Sequence, residues 1–143
     1  MSKRPAPTRF RIEPAASGDW AWIMQGEVEI AWARLGPRGR QEVDQHVVAE
    51  RTAKRVSELR QDEGFPSWAF VARTEGGTQA GYVWVAKTHN DSTGRLEAAL
   101  LNQYVAEPYR GQGLGCRLME AAEDWARREG LPRISLSVGA HNA

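Results

Sequence analysis

Hydrophobic and polar positions follow a helical spacing in the first part of the chain and a strand-like alternation in most of the rest. A short alternating stretch at 9–13 predicts a strand. Two helices are predicted after it, at 20–35 with Asp19 as the N-cap and at 41–63, separated by the turn sequence GPRG at 36–39. The buried stripes expected of these helices are Trp20, Met24, Val28, Ala31 and Leu35 in the first, and Val48, Thr52, Val56 and Leu59 in the second.

Three strands, a third helix and a last strand complete the pattern. Aromatic and β-branched residues predict strands at 67–73, 80–86 and 96–105, the first two joined as a hairpin. An amphipathic helix is predicted at 113–129 and a strand at 133–138. The residues expected to be buried in that helix are Leu114, Leu118, Ala121 or Ala122, and Trp125. The order β-α-α-β-β-β-α-β predicts a mixed α/β (α+β) fold with a mainly antiparallel sheet and one strand–helix–strand crossover.

Strict alternation along the strand at 96–105 assigns its side chains to two sides of the sheet. One side holds Glu97, Ala99, Leu101, Gln103 and Val105, and the other holds Ala98, Leu100, Asn102 and Tyr104. We therefore expect Glu97 and Gln103 to share a side.

Composition adds limits on function. The 143 residues, 41% of them apolar, suit one domain, which we place at 9–143 after a flexible basic tail at 1–8. No apolar run is long enough to cross a membrane, and 19 basic against 18 acidic residues give no bulk attraction for nucleic acid. The single cysteine excludes an internal disulfide and a cysteine-based zinc cluster, and favours a cytoplasmic location.

The segment YRGQGLGC at 109–116 places three glycines in five residues immediately before a helix. A helix N-terminus carries unpaired N–H groups and a partial positive charge, yet this first turn contains Arg117 and no acid. An external anion such as a phosphate would satisfy both features. The alternative is structural, with Gly111 in a tight turn and Gly115 in close packing. The loop matches neither of two familiar nucleotide-binding motifs. A P-loop would need Lys followed by Ser or Thr after its last glycine, and none is present; the dinucleotide fingerprint would need Gly at 116, which is Cys.

The sequence RGQGLG at 110–115 matches the R/Q-x-x-G-x-G/A signature of the GNAT superfamily, the acetyl-CoA-dependent N-acyltransferases. The strand before this loop, the helix after it and the element order also resemble that family, from about residue 9 to the C-terminus. The resemblance implies helices on both faces of the sheet. It also implies two sets of residues that hold acetyl-CoA. The first set binds the pyrophosphate and consists of the loop residues Arg110, Gly111, Gln112, Gly113, Leu114, Gly115 and Cys116. The second set binds the pantetheine arm and the thioester carbonyl through the backbone of Gln103, Tyr104 and Val105.

The family mechanism is direct transfer of the acetyl group to a neutral amine, so a protonated amine must first lose a proton. Glu97 is the candidate base, with a solvated strand-end glutamate as the alternative. Asn102 lies where related sequences often carry an acid, and its amide could only orient water or substrate. Cys116 is interpreted as a packing residue. The resemblance implies acetyl-CoA as acyl donor, an amine of a small molecule or peptide as acceptor, and no metal.

The C-terminal sequence ISLSVGAHN resembles the point at which the family's last helix begins, and Asn142 matches an Asn that often contacts the coenzyme. The last helix, with a Tyr that protonates the departing thiolate, and the closing strands are missing from the sequence. We therefore expect an incomplete domain, weakly active or inactive by itself, whose uncovered strand edge favours a homodimer. The alternative function is a catalytically impaired domain that binds coenzyme A or a partner chain without turnover.

Overall fold

The computed structural model describes residues 8–132 and 134–136, and these form a mixed α/β fold. The strands are β1 (Phe10–Pro14), β2 (Ser67–Thr74), β3 (Gln79–His89), β4 (Leu96–Val105) and β5 (Ile134–Leu136). The helices are α1 (Trp20–Arg34), α2 (Gly36–Glu42), α3 (Gln45–Gln61) and α4 (Leu114–Arg128), with short 3-10 turns at Ser17–Asp19 and Glu107–Tyr109. The predicted fold class is confirmed, with one more helix than expected. Most of the predicted tail, the ends of the last predicted strand and Asn142 lie outside the described residues.

The five strands form one sheet in the order β1-β2-β3-β4-β5. The pairs from β1 to β4 are antiparallel, and β5 lies parallel to β4. Within the described residues, β5 pairs with β4 only as far as Leu100, which lies opposite Leu136. Residues 101–105 therefore have β3 on one edge and no described strand on the other.

Helices cover both faces of this sheet. On one face α4 buries Leu114, Leu118, Ala122 and Trp125 against β2, β3 and β4, which confirms the predicted stripe with Ala122 rather than Ala121. On the other face α1 and α3 pack against the sheet, and Thr52 and Val56 of α3 are buried as predicted. Each fully buried aliphatic side chain stabilises the fold by about 1.5–3 kcal/mol. No helix in the described part of the chain has the length and apolar character needed to span a bilayer.

A β-bulge in β4 changes which side chains share a face. Trp84 of β3 lies opposite Asn102 and Val85 lies opposite Leu100, so Leu101 is the extra residue. Leu100 packs in the α4 layer, whereas Leu101 and the next residue, Asn102, both lie on the α1–α3 side, since Leu101 packs there and Asn102 bonds to Glu27 of α1. Strict alternation in this strand was therefore a wrong prediction. Because the side changes at the bulge, Glu97 and Gln103 lie on opposite sides of the sheet.

The predicted break at 36–39 is confirmed at its first residue and wrong after it. The helix α1 ends at Arg34, and Gly36 has φ +69°, which interrupts the helical conformation between α1 and α2. Residues 37–39 then lie in α2, because Pro37 occupies the first turn of the helix, where its missing N–H costs nothing. The chain leaves the helical conformation again at Val43. Asp44 then caps α3, since its carboxylate accepts a hydrogen bond from the His46 amide at 2.8 Å.

The buried face of α1 differs from the predicted stripe. It contains Ile23, Gly26 and Glu27, whereas Trp20 and Met24 are only partly buried. Asp19 does not cap the helix with its side chain. Its carboxylate instead accepts a hydrogen bond from the guanidinium of Arg73 at 2.6 Å. The Asp19 side chain therefore forms this ion pair and does not cap α1.

Candidate functional site

The loop between β4 and α4 depends on two glycines in the left-handed region. Gly111 has φ +79° and Gly113 has φ +78°, and a Cβ atom at either position would have nothing within 4 Å. Residues with a Cβ rarely adopt this conformation, so glycine is required by the backbone here. The loop therefore has an open surface over its own main chain.

The amides that follow these glycines have no acceptor among the described residues. No hydrogen bond from the described part of the chain uses the backbone N–H groups of 112–116, and Gly113 supplies no side chain to cap α4. The first turn of α4 also contains no acidic residue. Five unpaired donors at the positive end of a helix dipole suit an anion such as a phosphate or diphosphate.

Gly115 supports the packing alternative as well. The Gln103 side-chain Nε2 donates to the Gly115 carbonyl at 2.8 Å, and a Cβ atom on Gly115 would lie 2.8 Å from that nitrogen. The contact joins β4 directly to the first turn of α4. It brings Gln103, predicted at the pantetheine arm, beside the predicted pyrophosphate loop.

The two arginines predicted near the loop have other partners in this structure. The Arg110 Nε atom donates to the Val105 carbonyl at 2.8 Å, and its Nη2 atom lies 3.4 Å from the Glu29 carboxylate. Arg117 donates to the Phe10 carbonyl at 3.2 Å, on the β1 side of α4. Arg110 thus lies at the open end of β4, and Arg117 is directed away from it.

Tyr104 connects this end of β4 to α1. Its hydroxyl donates to the Glu29 carboxylate at 2.5 Å, and its ring stacks on that of Tyr82 with centroids 5.5 Å apart. Burial and the hydrogen bond to Glu29 raise the pKa of Tyr104 to about 12, against a smaller opposing effect of Arg110. Trp22 contacts both tyrosine rings edge-on, so this end of the sheet has an aromatic surface.

A buried polar cluster lies directly beneath the aromatic surface. The Glu27 side chain is 2% exposed and accepts hydrogen bonds from the Tyr82 hydroxyl and, at 2.8 Å, from the Asn102 Nδ2 atom. The Arg34 guanidinium donates to the Asn102 Oδ1 atom at 3.1 Å. Burial and the neighbouring Glu27 carboxylate raise the pKa of Tyr82 far above its ordinary value, so this hydroxyl keeps its proton.

Sequence reasoning did not identify this cluster as a site. One signal was available, because Glu27 follows Ile23 by four residues and precedes Ile30 by three, which places all three on one helical face. A charged residue on an apolar face indicates a buried partner or a functional group.

The structure separates Glu97 from the glycine loop. Glu97 lies at the start of β4, where its carboxylate accepts from the Asn90 side chain at 3.1 Å. At roughly 3.3 Å per strand residue, Glu97 is about 20 Å along the strand from Gln103. Cys116 is exposed in the first turn of α4. In the described part of the chain, no group of three or more His, Cys, Asp or Glu side chains is arranged to hold a metal ion.

Comparison with known proteins adds a family and a set of similar structures. The sequence model of the acetyltransferase (GNAT) family matches residues 18–143. No curated protein sequence matches the chain. A Pyrococcus furiosus protein described as an acetyl transferase superposes with a TM-score of 0.79 at 24% identity, over 91% of this chain and 83% of that one.

Two further structures have the same fold and different described activities. A ribosomal-protein-alanine N-acetyltransferase from Brucella melitensis biovar Abortus 2308 superposes with a TM-score of 0.60 at 19% identity, over 90% of this chain and 79% of that one. An aminoglycoside acetyltransferase from an uncultured soil metagenomic sample has a TM-score of 0.59 at 17% identity, over 90% and 77%. The acceptors named for these two proteins differ, so the shared fold does not select an acceptor.

Proposed function

Because the chain belongs to the GNAT acetyltransferase family, we propose that it transfers an acetyl group from acetyl-CoA to a primary amine of a small molecule or peptide. The observation that carries this proposal is the row of main-chain amides at 112–116, at the N-terminus of α4, which have no acceptor in the described part of the chain. An unpaired row of donors is costly unless a ligand or water satisfies it. Acetyl-CoA offers a diphosphate of matching charge.

Two parts of the chain would hold acetyl-CoA under this proposal. The loop amides, opened by Gly111 and Gly113, would bind the diphosphate. The edge of β4 at 103–105, which no described strand pairs, would bind the pantetheine arm and the thioester carbonyl. Arg110 lies between them, bonded to the Val105 carbonyl, and adds positive charge to both.

The chemistry proposed is a direct displacement. The amine nitrogen attacks the thioester carbon, the new C–N bond forms, and the C–S bond breaks with departure of the thiolate. A main-chain N–H in the 103–105 segment would stabilise the oxyanion that develops on the carbonyl oxygen. The amine is mostly protonated at neutral pH, so the site must also accept a proton.

The two sequence-predicted catalytic residues receive unequal support. Asn102 is 4% exposed and immediately precedes the proposed thioester-binding segment. Glu97 lies near the β3–β4 turn, roughly 20 Å along the strand from the proposed thioester-binding segment. We therefore retain Asn102 as a residue that orients the site, and we leave Glu97 out of the proposed mechanism.

Titration calorimetry tests the binding half of the proposal. The purified chain should bind acetyl-CoA and coenzyme A, and ATP should not compete. Absence of coenzyme binding would overturn the proposal. Homodimerisation and a cytoplasmic location stay predictions, which sedimentation and cell fractionation would check.

Turnover is tested separately with a panel of amines: a polyamine, an aminoglycoside, a lysine peptide and a peptide N-terminus. Acetylated product should be detected by mass spectrometry, because the exposed Cys116 thiol would react with thiol reagents. Turnover would contradict the sequence-based expectation of weak activity. Coenzyme binding without acetylation of any amine would favour the second candidate function, a coenzyme-binding domain.

A further inference from the structure

We infer that Glu27 is the group that accepts the proton lost by the acceptor amine, with Asn102 and Tyr82 holding its carboxylate in position. The inference rests on the proposed transferase function and assigns to one residue a role that the family membership leaves open. Four observations carry it: burial, contact chemistry, location and the fixed orientation of Asn102.

Burial distinguishes Glu27 from the other acids near the open end of β4. The buried acidic residues in the described part of the chain are Asp19 and Glu27, both less than 5% exposed. Asp19 pairs with the guanidinium of Arg73 at 2.6 Å, as a buried carboxylate ordinarily does. Glu27 is the buried acid at the β4 end, whereas Glu29 is exposed.

The contacts of Glu27 are suited to proton transfer. Its two hydrogen-bond donors in the described residues, the Tyr82 hydroxyl and the Asn102 amide, are both neutral. A carboxylate without a direct counter-charge is expensive to bury for stability alone. Such a group in a structure is a candidate for function.

Location places this carboxylate at the reacting end of the site. Asn102 is the residue immediately before the 103–105 segment, whose outer edge is unpaired within the described strands. The side-chain amide of Asn102 donates to the Glu27 carboxylate at 2.8 Å. Glu97 has no comparable position, because it lies about six strand residues, roughly 20 Å, away from Gln103.

Arg34 fixes the direction in which the Asn102 amide points. Its guanidinium donates to the Asn102 Oδ1 atom at 3.1 Å, so the Nδ2 atom of the amide is directed to Glu27. Arg34 follows Glu27 by seven residues on α1 and thus lies on the same helical face. The chain Arg34–Asn102–Glu27–Tyr82 is therefore an ordered row with the carboxylate inside it.

Two protons leave the acceptor nitrogen during the reaction. The first N–H bond of the acceptor ammonium breaks and an O–H bond forms on the Glu27 carboxylate. The freed nitrogen lone pair attacks the thioester carbon, the C–S bond breaks, and the second proton passes from the acylated nitrogen to the departing thiolate, which leaves a neutral amide and a thiol. Glu27 returns its proton to solvent as the acetylated product departs.

The primary test is Glu27→Gln, with Glu50→Gln on the exposed side of α3 as the matched control. We expect Glu27→Gln to lower kcat by about 100-fold or more, the range typical of a lost general base. Coenzyme affinity measured by calorimetry should change less than about twofold, because the variant does not touch the glycine loop. Retained kcat with an unchanged pH profile would overturn the inference.

A swap variant separates chemistry from structure. Glu27→Gln combined with Asn102→Asp keeps an amide and a carboxylate in contact and exchanges their positions. The swap should recover about 10-fold in kcat over Glu27→Gln alone, because a proton acceptor is restored next to Gln103. No recovery, with both variants folded by circular dichroism, would contradict the proposed role.

Tyr82→Phe tests the inference if Glu27→Gln does not fold. Removing the hydroxyl takes one of the two hydrogen-bond donors from the Glu27 carboxylate, which then loses its fixed position. We expect kcat to fall by about 10-fold while coenzyme affinity by calorimetry changes less than about twofold, and an unchanged kcat would overturn the inference. A wild-type chain that binds coenzyme A but acetylates no amine would overturn both proposals, whereas an active Glu27→Gln variant overturns this one alone.

Discussion

Glycine is required in the loop between β4 and α4 because of its backbone conformation, and not because a Cβ atom there would meet a neighbouring atom. Gly113 and Gly94 both have positive φ, +78° and +72°, and open space at the Cβ position. Gly113 begins α4, whereas Gly94 lies in the turn between β3 and β4. The two glycines thus form a matched pair that differs only in proximity to the candidate site.

Gly113→Ala and Gly94→Ala should destabilise the fold equally and differ in ligand binding. A left-handed Ala costs about 1–2 kcal/mol, so urea unfolding should show a similar loss in both variants. Only Gly113→Ala should weaken coenzyme A binding, by about 10-fold or more, because a relaxed loop no longer aligns its amides. Equal affinity of both variants by calorimetry would count against the loop as the diphosphate site.

A single side chain, Tyr104, should make the free energy of unfolding depend on pH. Its pKa is raised from 10.0 to about 12, so the folded state holds the proton more tightly than the unfolded state. The associated stability is fully present below about pH 10 and is lost as the pH rises towards 12. We expect the free energy of unfolding to fall over this range in the wild type and to fall less in Tyr104→Phe. Urea unfolding at several pH values, with absorbance at 295 nm to follow tyrosinate, would show this difference.

The site residues that could be predicted from sequence are those whose role is local. The loop glycines and their amides are contiguous in the chain, and a signature of six residues at 110–115 identifies them. Glu27 depends on Tyr82 and Asn102, which are 55 and 75 residues away. No local pattern in the sequence indicates contacts between residues so far apart.

Among the elements, α4 could be predicted because its pattern is self-contained. Its apolar stripe and left-handed Gly130 at the C-terminal end are both local signals. The face of α1 was mispredicted because a glycine and a glutamate occupy its contact with the sheet. The bulge at Leu101 depends on how β4 pairs with β3, which the sequence of β4 alone does not contain.

The close packing of α1 on the sheet leads to a prediction at this scale. A Cβ atom at Gly26 would lie 2.7 Å from the Tyr82 Cε2 atom, and Tyr82 is fully buried. Gly26→Ala should therefore destabilise the fold by about 1–3 kcal/mol, although Ala is the better helix former. Gly18→Ala is the control, because nothing lies within 4 Å of its Cβ position.

Chemical denaturation of both variants measures this effect. If the Gly26→Ala and Gly18→Ala proteins have the same free energy of unfolding, α1 can move away from the sheet without loss of stability. In that case Glu27, the next residue, would also lack a fixed position.

For the whole molecule, one ion-pair group joins the N-terminal segment to the sheet. Arg73 of β2 contacts Asp19 and, at 2.5 Å, Glu13 of β1. The Asp19 carboxylate also accepts from the Gln79 side chain at 2.8 Å. Burial alone would raise the pKa of Asp19, but the hydrogen bonds from Arg73, Gln79 and the Ala16 amide outweigh it and lower this pKa.

This group should control stability in acid. A lowered pKa means that the stabilisation is present above the ordinary value of 3.8 and is lost as the pH falls further. Asp19→Asn should destabilise the protein by about 2 kcal/mol at pH 7, the range for losing a hydrogen bond to a charged group, and should flatten the pH dependence below pH 4. Asp124→Asn, which alters an exposed pair with Arg127, should have little effect. Thermal unfolding between pH 3 and pH 7 tests both, and identical profiles for the two variants would refute the prediction.

The extra residue in β4 has a consequence for how this strand can vary. Asn102 reaches Glu27 on one layer and Gln103 reaches Gly115 on the other. Leu101 has no partner on β3, so deleting it would leave Leu100 opposite Val85 and Asn102 opposite Trp84, with both amides still on their own layers. A deletion elsewhere in β4 would instead exchange side chains between the two layers. Position 101 should therefore be where this strand best tolerates the loss of a residue.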